Sequence, residues 1–379
     1  MKVNDSLKVM GVAVLASLSL PPGASAHAFN LPSRPVCSSA FDAARQDSPP
    51  LQASLPHACP PDRQENAKVA NAQGTASADD DTKEMEGFQD LIVKESFKEV
   101  EPELQSYLAT HPRSWKAYYF LGYVQFRQRK IGESIKSLSK SLEINPDSAE
   151  AHKMLGKNLT IIGRYDYALR EYDAALRLDP GSAEVHYNFG KIYAIQDEWT
   201  KAREEFEKAV QLDMNYMEAY NALGFAMEAV GDTAEAERDY LAAIRINEQR
   251  RTKFDSPYIN LSGYYNYRGK FDLALEYAHK ALELNPQSDL AYFQIAKTCR
   301  ARQDWTGVVG ALEKAIAINS WRPQYFYVLG IAYGKLGKTE ESKRALQTFQ
   351  DLEKRNANFE RQRRELHREK QGQELRPED

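Results

Sequence analysis

The stretch LGKNLTIIGRYDYALREYDAALRLDP, residues 155–180, decides the fold of this chain. Counting from Ala149, apolar or aromatic residues and one glycine recur at three- and four-residue spacing, which places them on one face of a helix. These residues are His152, Leu155, Gly156 and Leu159. Because Gly156 has no side chain, a second helix can approach the first one closely at this position.

A second helix follows a short turn in the same stretch. Gly163 and Arg164 are predicted to form the turn, where glycine accepts a left-handed conformation at little cost. The apolar face of the second helix is then formed by Tyr165, Ala168, Tyr172 and Ala175. Pro180 cannot continue a helix and ends it. Neither helix can bury its apolar face alone, so such units have to stack on one another.

Small residues recur at the Gly156 position with a fixed period. From Gly122, steps of 34 residues reach Gly156, Gly190 and Gly224, a step of 38 reaches Ser262, and steps of 34 then reach Ala296 and Gly330. The longer step adds four residues, about one helical turn, between positions 247 and 257. They predict either a longer second helix or a wider loop. Arg250, Arg251 and Lys253 make this segment basic, and a solvated segment is favoured over a docking point.

The repeated pattern resembles the tetratricopeptide repeat family, whose units of 34 residues carry W-x2-L-G-x2-Y, then A-x3-F, then P. The resemblance extends over residues 115–353 and implies an all-α fold, a right-handed superhelical α-solenoid of helix-turn-helix repeats. Seven repeats are expected to start near residues 115, 149, 183, 217, 255, 289 and 323. Residues 81–114 are predicted to form a degenerate N-terminal repeat, because the Leu-Gly pair is missing there.

The N-terminus has the pattern of a secretory signal peptide. Lys2 and Lys8 precede an apolar run at residues 9–20. Two prolines and small residues up to Ala26 follow this run. This layout predicts a signal peptide at residues 1–26 and an exported protein, periplasmic or secreted. An uncleaved anchor is the alternative, but it needs about 20 apolar residues to span a bilayer. No later stretch is predicted to span a membrane.

Two further segments flank the repeats. Residues 27–80 are rich in Pro, Ala and Ser and are predicted to be a disordered leader. Cys37 and Cys59 lie in it, and after export they are predicted either to form a disulfide or to stay as two free thiols. Residues 354–379 form a charged C-terminal tail with basic and acidic residues in balance, which favours a solvated segment over a nucleic-acid arm.

The composition excludes several classes of function. Charged residues make up 27% of the chain and the formal net charge is −4, which argues against nucleic acid as a partner. The sequence has no phosphate-binding loop, no nucleophile elbow and no recognised zinc or other cofactor motif, so no cofactor and no catalytic residue are assigned. His152 and His186 occupy the same slot of successive repeats, yet two histidines make an incomplete metal site, so core packing or a polar network is predicted. Cys299 is interpreted as a small buried hydrophobe.

The resemblance implies a binding surface on the concave side of the superhelix, formed by positions 2, 5, 9, 12 and 13 of each repeat. Aromatic residues are frequent at these positions, and basic residues outnumber acidic ones. The candidate groove residues are Tyr119, Tyr123, Phe126, Arg127, Lys153, Lys157, Tyr187, Lys191, Phe225, Tyr267, Phe293, Lys297, Arg300 and Tyr327. Such a surface suits a protein or peptide partner that carries acidic groups. The alternative is that the aromatic residues only pack between neighbouring first helices.

The sequence therefore predicts a non-catalytic, exported scaffold that binds a protein or peptide in its concave groove, with a role in envelope assembly or secretion. A self-associating structural solenoid is the second hypothesis, and an enzyme with an unrecognised site is a remote third. The carboxylate clamp of chaperone-adaptor repeats is not expected. Its register offers Lys153, Lys157 and Asn188, but continues with Glu218 and Ala222 where basic residues are required.

Overall fold

The computed structural model describes residues 78–374, and throughout this range the chain is a succession of α-helices with no strand. Sixteen helices are present in the described residues. They are α1 (Ala78–Val93), α2 (Phe97–Thr110), α3 (Trp115–Arg127), α4 (Ile131–Ile144), α5 (Ala149–Ile161), α6 (Tyr165–Leu178), α7 (Ala183–Ile195), α8 (Trp199–Leu212), α9 (Met217–Val230), α10 (Thr233–Arg250), α11 (Ser256–Tyr267), α12 (Phe271–Leu284), α13 (Asp289–Ala301), α14 (Trp305–Ile318), α15 (Pro323–Lys335) and α16 (Thr339–Glu374).

Odd-numbered helices pair with the even-numbered helices that follow them, and the pairs stack in chain order. From α3 onward, the first helices of the pairs begin at residues 115, 149, 183, 217, 256, 289 and 323. Each second helix also packs against the first helix of the next pair. The predicted all-α solenoid is confirmed, because every described helix packs mainly on its neighbours along the chain.

The α5–α6 pair shows why these residues form a helical hairpin. The Ser148 hydroxyl caps α5 by accepting a hydrogen bond from the backbone N–H of Ala151, at 3.3 Å. Gly156 then faces Tyr172 of α6, and a Cβ at this glycine would lie 2.6 Å from the tyrosine ring. Tyr172 is fully buried and cannot move aside. Glycine at this position is therefore required by the close approach of the two helices.

The turn inside each hairpin uses one residue with a left-handed backbone. Gly163 has a φ of 77°, as the glycine in the turn predicts. Residues at the same repeat position share this conformation whether or not they are glycine: Glu95, Arg129, Asp197, Gly231, Gly269, Gln303 and Gly337. Glu95 lies between α1 and α2, so this pair closes with the same turn as the units that follow it.

The α1–α2 pair packs on α3 through a hydrophobic cluster of its own. Its fully buried members are Val100 and Leu104 of α2 and Ala117 and Val124 of α3. α1 begins at Ala78, inside the segment that the composition assigns to the leader. The helical region thus starts slightly before residue 81, where the degenerate repeat was expected to begin.

The four additional residues of the longer unit lengthen its second helix. α10 has 18 residues, whereas α8 has 14. The buried side chain of Asn247, in the last turn of α10, accepts hydrogen bonds from two residues beyond the end of this helix. The donors are the Thr252 hydroxyl and the backbone N–H of Phe254. Of the two alternatives for the insertion, the longer helix is the one observed.

At the C-terminal end, α16 runs for 36 residues and continues through the predicted charged tail as far as Glu374. The Arg355 guanidinium lies over the Trp321 ring at 4.3 Å, which holds α16 against the start of α15. No helix in the described part of the chain has the length and apolarity needed to cross a membrane. The predicted signal peptide, the leader up to residue 77, Cys37 and Cys59, and residues 375–379 lie outside the described residues.

Candidate binding surface

All candidate groove residues lie on the first helices of the pairs, from α3 to α15, and they differ widely in exposure. Tyr267 and Tyr327 are 53% and 46% exposed, whereas Tyr187 and Phe225 are 4% and 5% exposed. Arg300 is also exposed. The half-buried residues are Tyr119, Tyr123, Phe126, Arg127, Lys153, Lys157, Phe293 and Lys297. The predicted residues therefore do not form one uniformly accessible surface.

Several of the aromatic residues pack inside the protein. The Tyr187 ring lies 5.0 Å from that of Tyr216, and the Phe225 ring lies 5.4 Å from that of Trp199. Both Tyr187 and Phe225 belong to the largest hydrophobic cluster. These two residues pack against a second helix and a turn, and not between neighbouring first helices as the alternative interpretation has it.

Arg127 has partners at the N-terminal end of the solenoid. Its guanidinium donates to Glu95 at 2.6 Å and to the Tyr123 hydroxyl at 2.9 Å, and it lies over the Phe97 ring at 4.8 Å. Glu95 raises the pKa of Arg127 through this hydrogen bond, against the opposing effect of burial. Arg127 thus joins α3 to the α1–α2 pair.

Three lysines approach one another on α5 and α7, and we name Lys153, Lys157 and Lys191 the lysine cluster. Lys157 forms an ion pair with Glu184 of α7, and Lys153 lies 3.7 Å from the exposed carboxylate of Glu150. Burial raises the pKa of Glu184, but the neighbouring lysines, Lys157 first, outweigh it and the pKa is lowered overall. The carboxylate of Glu184 therefore lies within the field of the whole cluster.

Lys191 is the buried member of the lysine cluster, at 7% exposure. Its ammonium lies 5.4 Å from the centre of the Tyr187 ring, a cation–π contact. Within the described residues it has no hydrogen bond and no ion pair. Burial, followed by repulsion from Lys157, lowers the pKa of Lys191 to about 8, although Glu184 acts in the opposite direction. Lys191 is thus charged at neutral pH in an environment that disfavours the charge.

Further along the face, the buried Glu228 of α9 lies within the field of the half-buried Lys297 of α13. The Tyr240 hydroxyl donates to Glu228 at 2.6 Å, and burial raises the pKa of Glu228 to about 7. Lys297 of α13 lowers the pKa of Glu228 and has its own pKa lowered by burial to about 8. In the sequence, the only indication of the buried carboxylate is that Glu228 is an acidic residue at position 12 of the repeat that begins at residue 217.

The first helices α11 and α13 contact each other directly. Thr298 donates to Asn266 at 2.7 Å, and the Asn266 amide donates to the backbone carbonyl of Gln294 at 3.2 Å. A Cβ at Gly263 would lie 3.1 Å from the Gln294 side chain. The groove positions of this repeat are occupied by helix packing, which the repeat pattern alone does not predict.

The two repeated histidines each meet a glutamate on the second helix of their own pair. His152 lies 2.6 Å from Glu171, and His186 lies 2.7 Å from Glu205. The described residues contain no group of His, Cys, Asp and Glu side chains that could hold a metal ion. Of the two predictions for these histidines, core packing or a polar network, the structure shows polar contacts with glutamate. Cys299 is a half-buried free thiol whose pKa is raised by burial.

Comparisons with known proteins agree with this architecture. A family model described as TPR repeat matches residues 156–197 and 190–231, and one described as Tetratricopeptide repeat matches residues 116–148 and 323–356. The comparison with curated proteins found no match.

Two solved structures with the same fold show how far the structural similarity extends. A tetratricopeptide repeat protein from Parabacteroides merdae is 20% identical with a TM-score of 0.53, and the match covers 66% of this chain and 98% of that one. The APC/C hetero-tetramer Cut9-Hcn1 gives 18% identity and a TM-score of 0.56, and the match covers 62% of this chain but only 45% of that one. Together, the family matches, the 34-residue period and the stacked helix pairs show that the chain belongs to the tetratricopeptide repeat family.

Proposed function

We propose that this protein is a non-catalytic scaffold whose inner face binds a protein or peptide through acidic groups that reach the lysine cluster. The observation that carries the proposal is Lys191, which is buried and charged at neutral pH without an ion-pair partner among the described residues. Tetratricopeptide repeats are, as a family, protein-binding scaffolds, and the proposal names where on this chain the contact is made.

The energetics of Lys191 support a ligand carboxylate as the missing partner. Burying an ammonium without a counter-charge costs several kcal/mol, and a cation–π contact of the kind made with Tyr187 offsets about 0.5–2 kcal/mol of it. A carboxylate from a partner would supply the counter-charge. Binding would therefore gain energy that the free protein forgoes.

The charge balance of the cluster points in the same direction. Glu184 is paired with Lys157, and Glu150 is exposed and 3.7 Å from Lys153, a surface contact that contributes about 0–1 kcal/mol. The carboxylate of Glu184 is thus the main counter-charge for the three ammonium groups of the lysine cluster, because Glu150 adds little. An acidic peptide is favoured over a basic or neutral one.

The test is fluorescence anisotropy with a labelled hexaglutamate peptide, and with hexaglutamine as the neutral probe. The variant Lys191→Met removes the charge and keeps a similar volume, and Lys201→Met on α8, an exposed lysine paired with Glu198, is the matched control. A charge-assisted contact contributes about 1.5 kcal/mol, so we expect about a tenfold loss of hexaglutamate affinity for Lys191→Met only. Equal binding of the two peptides, or an equal loss in both variants, would contradict the proposal.

Export and a role in envelope assembly or secretion are part of the proposal, and their support is the N-terminal pattern of residues 1–26. The measurement is N-terminal sequencing of the mature protein from cell fractions. We expect a chain that begins after Ala26 in the exported fraction. A cytoplasmic protein that begins at Met1 would remove this part of the proposal and leave the binding surface unaffected.

A further inference from the structure

His152 is held by two hydrogen-bond acceptors at once. Its Nδ1 lies 2.6 Å from a carboxylate oxygen of Glu171, and its Nε2 lies 2.9 Å from the backbone carbonyl oxygen of Pro146. A neutral imidazole has one N–H and one lone pair, whereas the imidazolium has two N–H groups. A neutral His152 beside an ionised Glu171 can satisfy only one of the two contacts. Both are satisfied when this pair of side chains holds one additional proton.

The three groups belong to three different elements of two successive repeats. Pro146 lies in the turn after α4, His152 lies on α5, and Glu171 lies on α6. The ring therefore ties the turn between the repeats that begin at residues 115 and 149 to the second helix of the later repeat. The same turn supplies Ser148, which caps α5.

The next repeat provides an internal comparison. His186 lies 34 residues further on, and its Nδ1 meets Glu205 at 2.7 Å. Glu205 also accepts a hydrogen bond from Lys208 at 2.7 Å. Within the described residues, the Nε2 of His186 makes no hydrogen bond, although Pro180 occupies the position that Pro146 occupies one repeat earlier. His186 therefore makes one ring-nitrogen contact, whereas His152 makes two.

The charged groups around His152 act in one net direction. The hydrogen bond to Glu171 raises the pKa of His152 most, the Pro146 carbonyl adds to it, and burial and Arg177 oppose it. The titratable groups that act on the ring, Glu171 and Arg177, are both on α6. The net result is a pKa above the ordinary value.

We infer that His152 is a proton-dependent latch that fixes the junction between the repeats beginning at residues 115 and 149. With the proton present, the turn at Pro146 is held against α5 and α6. When the proton leaves, one of the two acceptors faces a lone pair, and that contact is lost. Since Lys153 and Lys157 lie on the same helix, the latch fixes the position of the lysine cluster relative to the preceding repeat.

The first test is a titration of the histidine ring nitrogens by NMR, with ¹⁵N-labelled histidine in the full chain. The resonances of His152 are assigned by their absence in His152→Gln. We expect both ring nitrogens of His152 to be protonated at pH 6.5, the ordinary pKa of histidine. In Glu171→Gln, the midpoint of His152 should move to lower pH. A neutral tautomer at pH 6.5 in the wild type would overturn the inference, as would an unchanged midpoint in Glu171→Gln.

The second test measures whether the proton holds the junction. Amide hydrogen exchange at Ala151 and His152 is compared between the wild type and His152→Gln, with His186→Gln and the amides of Val185 and His186 as the matched control. Because the pKa of folded His152 is raised, its contribution is present below pH 6.5 and is lost as pH rises through the raised value. We expect several-fold higher protection in the wild type at pH 5.5, and a ratio that falls toward one as pH rises. A ratio that does not change with pH, or the same change at the His186 position, would refute the latch.

Discussion

Two regions of the inner face use the same repeat positions in opposite ways. On α5 and α7, positions 5 and 9 carry the charged residues of the lysine cluster. On α11, position 9 is Gly263 and position 12 is Asn266, and this helix is in direct contact with α13. The same repeat positions therefore carry charged side chains in one region and close helix contacts in the other, and the local sequence determines which of the two is found.

The contrast coincides with the change in repeat length. α10, the helix that precedes α11, is one turn longer than the other second helices of the central repeats. The longer helix ends at Arg250, whose successor Arg251 has a left-handed backbone with a φ of 53°. A different second helix and a different connection place α11 differently from the other first helices. The direct contact between α11 and α13 thus lies next to the lengthened helix.

The largest expected effect tests the packing that both regions share. Gly156→Ala places a Cβ 2.6 Å from the fully buried ring of Tyr172, and we expect about 3 kcal/mol of destabilisation. Gly263→Ala meets the end of the Gln294 side chain at 3.1 Å; this side chain is also fully buried but has to shift by only a few tenths of an ångström, so we expect a smaller loss, about 1 kcal/mol. The measurement is urea unfolding followed by far-UV circular dichroism.

The control for the glycine series is Gly132→Ala on α4, where nothing lies within 4 Å of the added Cβ. Alanine should stabilise this helix by about 0.5–1 kcal/mol. If Gly156→Ala behaved like Gly132→Ala, the close approach of α5 and α6 would not be a requirement of the fold.

The second prediction concerns the charge buried in the lysine cluster. Lys191→Met should stabilise the protein by about 2 kcal/mol at pH 7, because it removes a buried ammonium whose nearby carboxylate, Glu184, is already paired with Lys157. The pKa of Lys191 is lowered from 10.5 to about 8 in the folded protein. The cost in the wild type is therefore full below pH 8 and is relieved as pH rises toward 10.5.

The measurement for Lys191 is the urea midpoint of the wild type and of Lys191→Met between pH 6 and pH 10. The gain in Lys191→Met should shrink above pH 8, and hexaglutamate binding by the wild type should weaken over the same range. A variant that is less stable than the wild type at pH 7 would mean that the Lys191 stem and its contact with Tyr187 outweigh the burial of the charge.

The third prediction addresses the region where the first helices meet. Asn266→Ala removes the acceptor of Thr298 and the donor to the Gln294 carbonyl, and we expect a loss of about 1–2 kcal/mol. Hydrogen exchange should increase in α11 and α13 and remain unchanged in α5 and α7. Asn215→Ala, at an exposed position, is the control and should change stability by less than about 0.5 kcal/mol. Increased exchange in α5 would show that the two regions are coupled.

The helical hairpins could be predicted from the sequence because their causes are local. The spacing of Leu155, Gly156 and Leu159 fixes a helix face, and the turn at Gly163 follows from its backbone freedom. The accessibility of the face could not be predicted, because it depends on how consecutive pairs are rotated against each other. The burial of Tyr187 and the pairing of Arg127 with Glu95 are set by contacts between units, and a 34-residue period carries no information about them.

The smallest expected effect compares the turn after α5 with the turn after α13. Gly163 adopts the left-handed backbone without strain, whereas Gln303 adopts it with a φ of 60° and an ordinary side chain. A left-handed backbone costs a non-glycine residue about 1 kcal/mol, and glycine gives back part of that through its larger unfolded-state entropy. Gln303→Gly should therefore stabilise the protein by about 0.5 kcal/mol in urea unfolding. The reverse change, Gly163→Gln, should destabilise it by a similar amount, and a gain in stability there would show that the turn conformation contributes nothing to the difference between the two units.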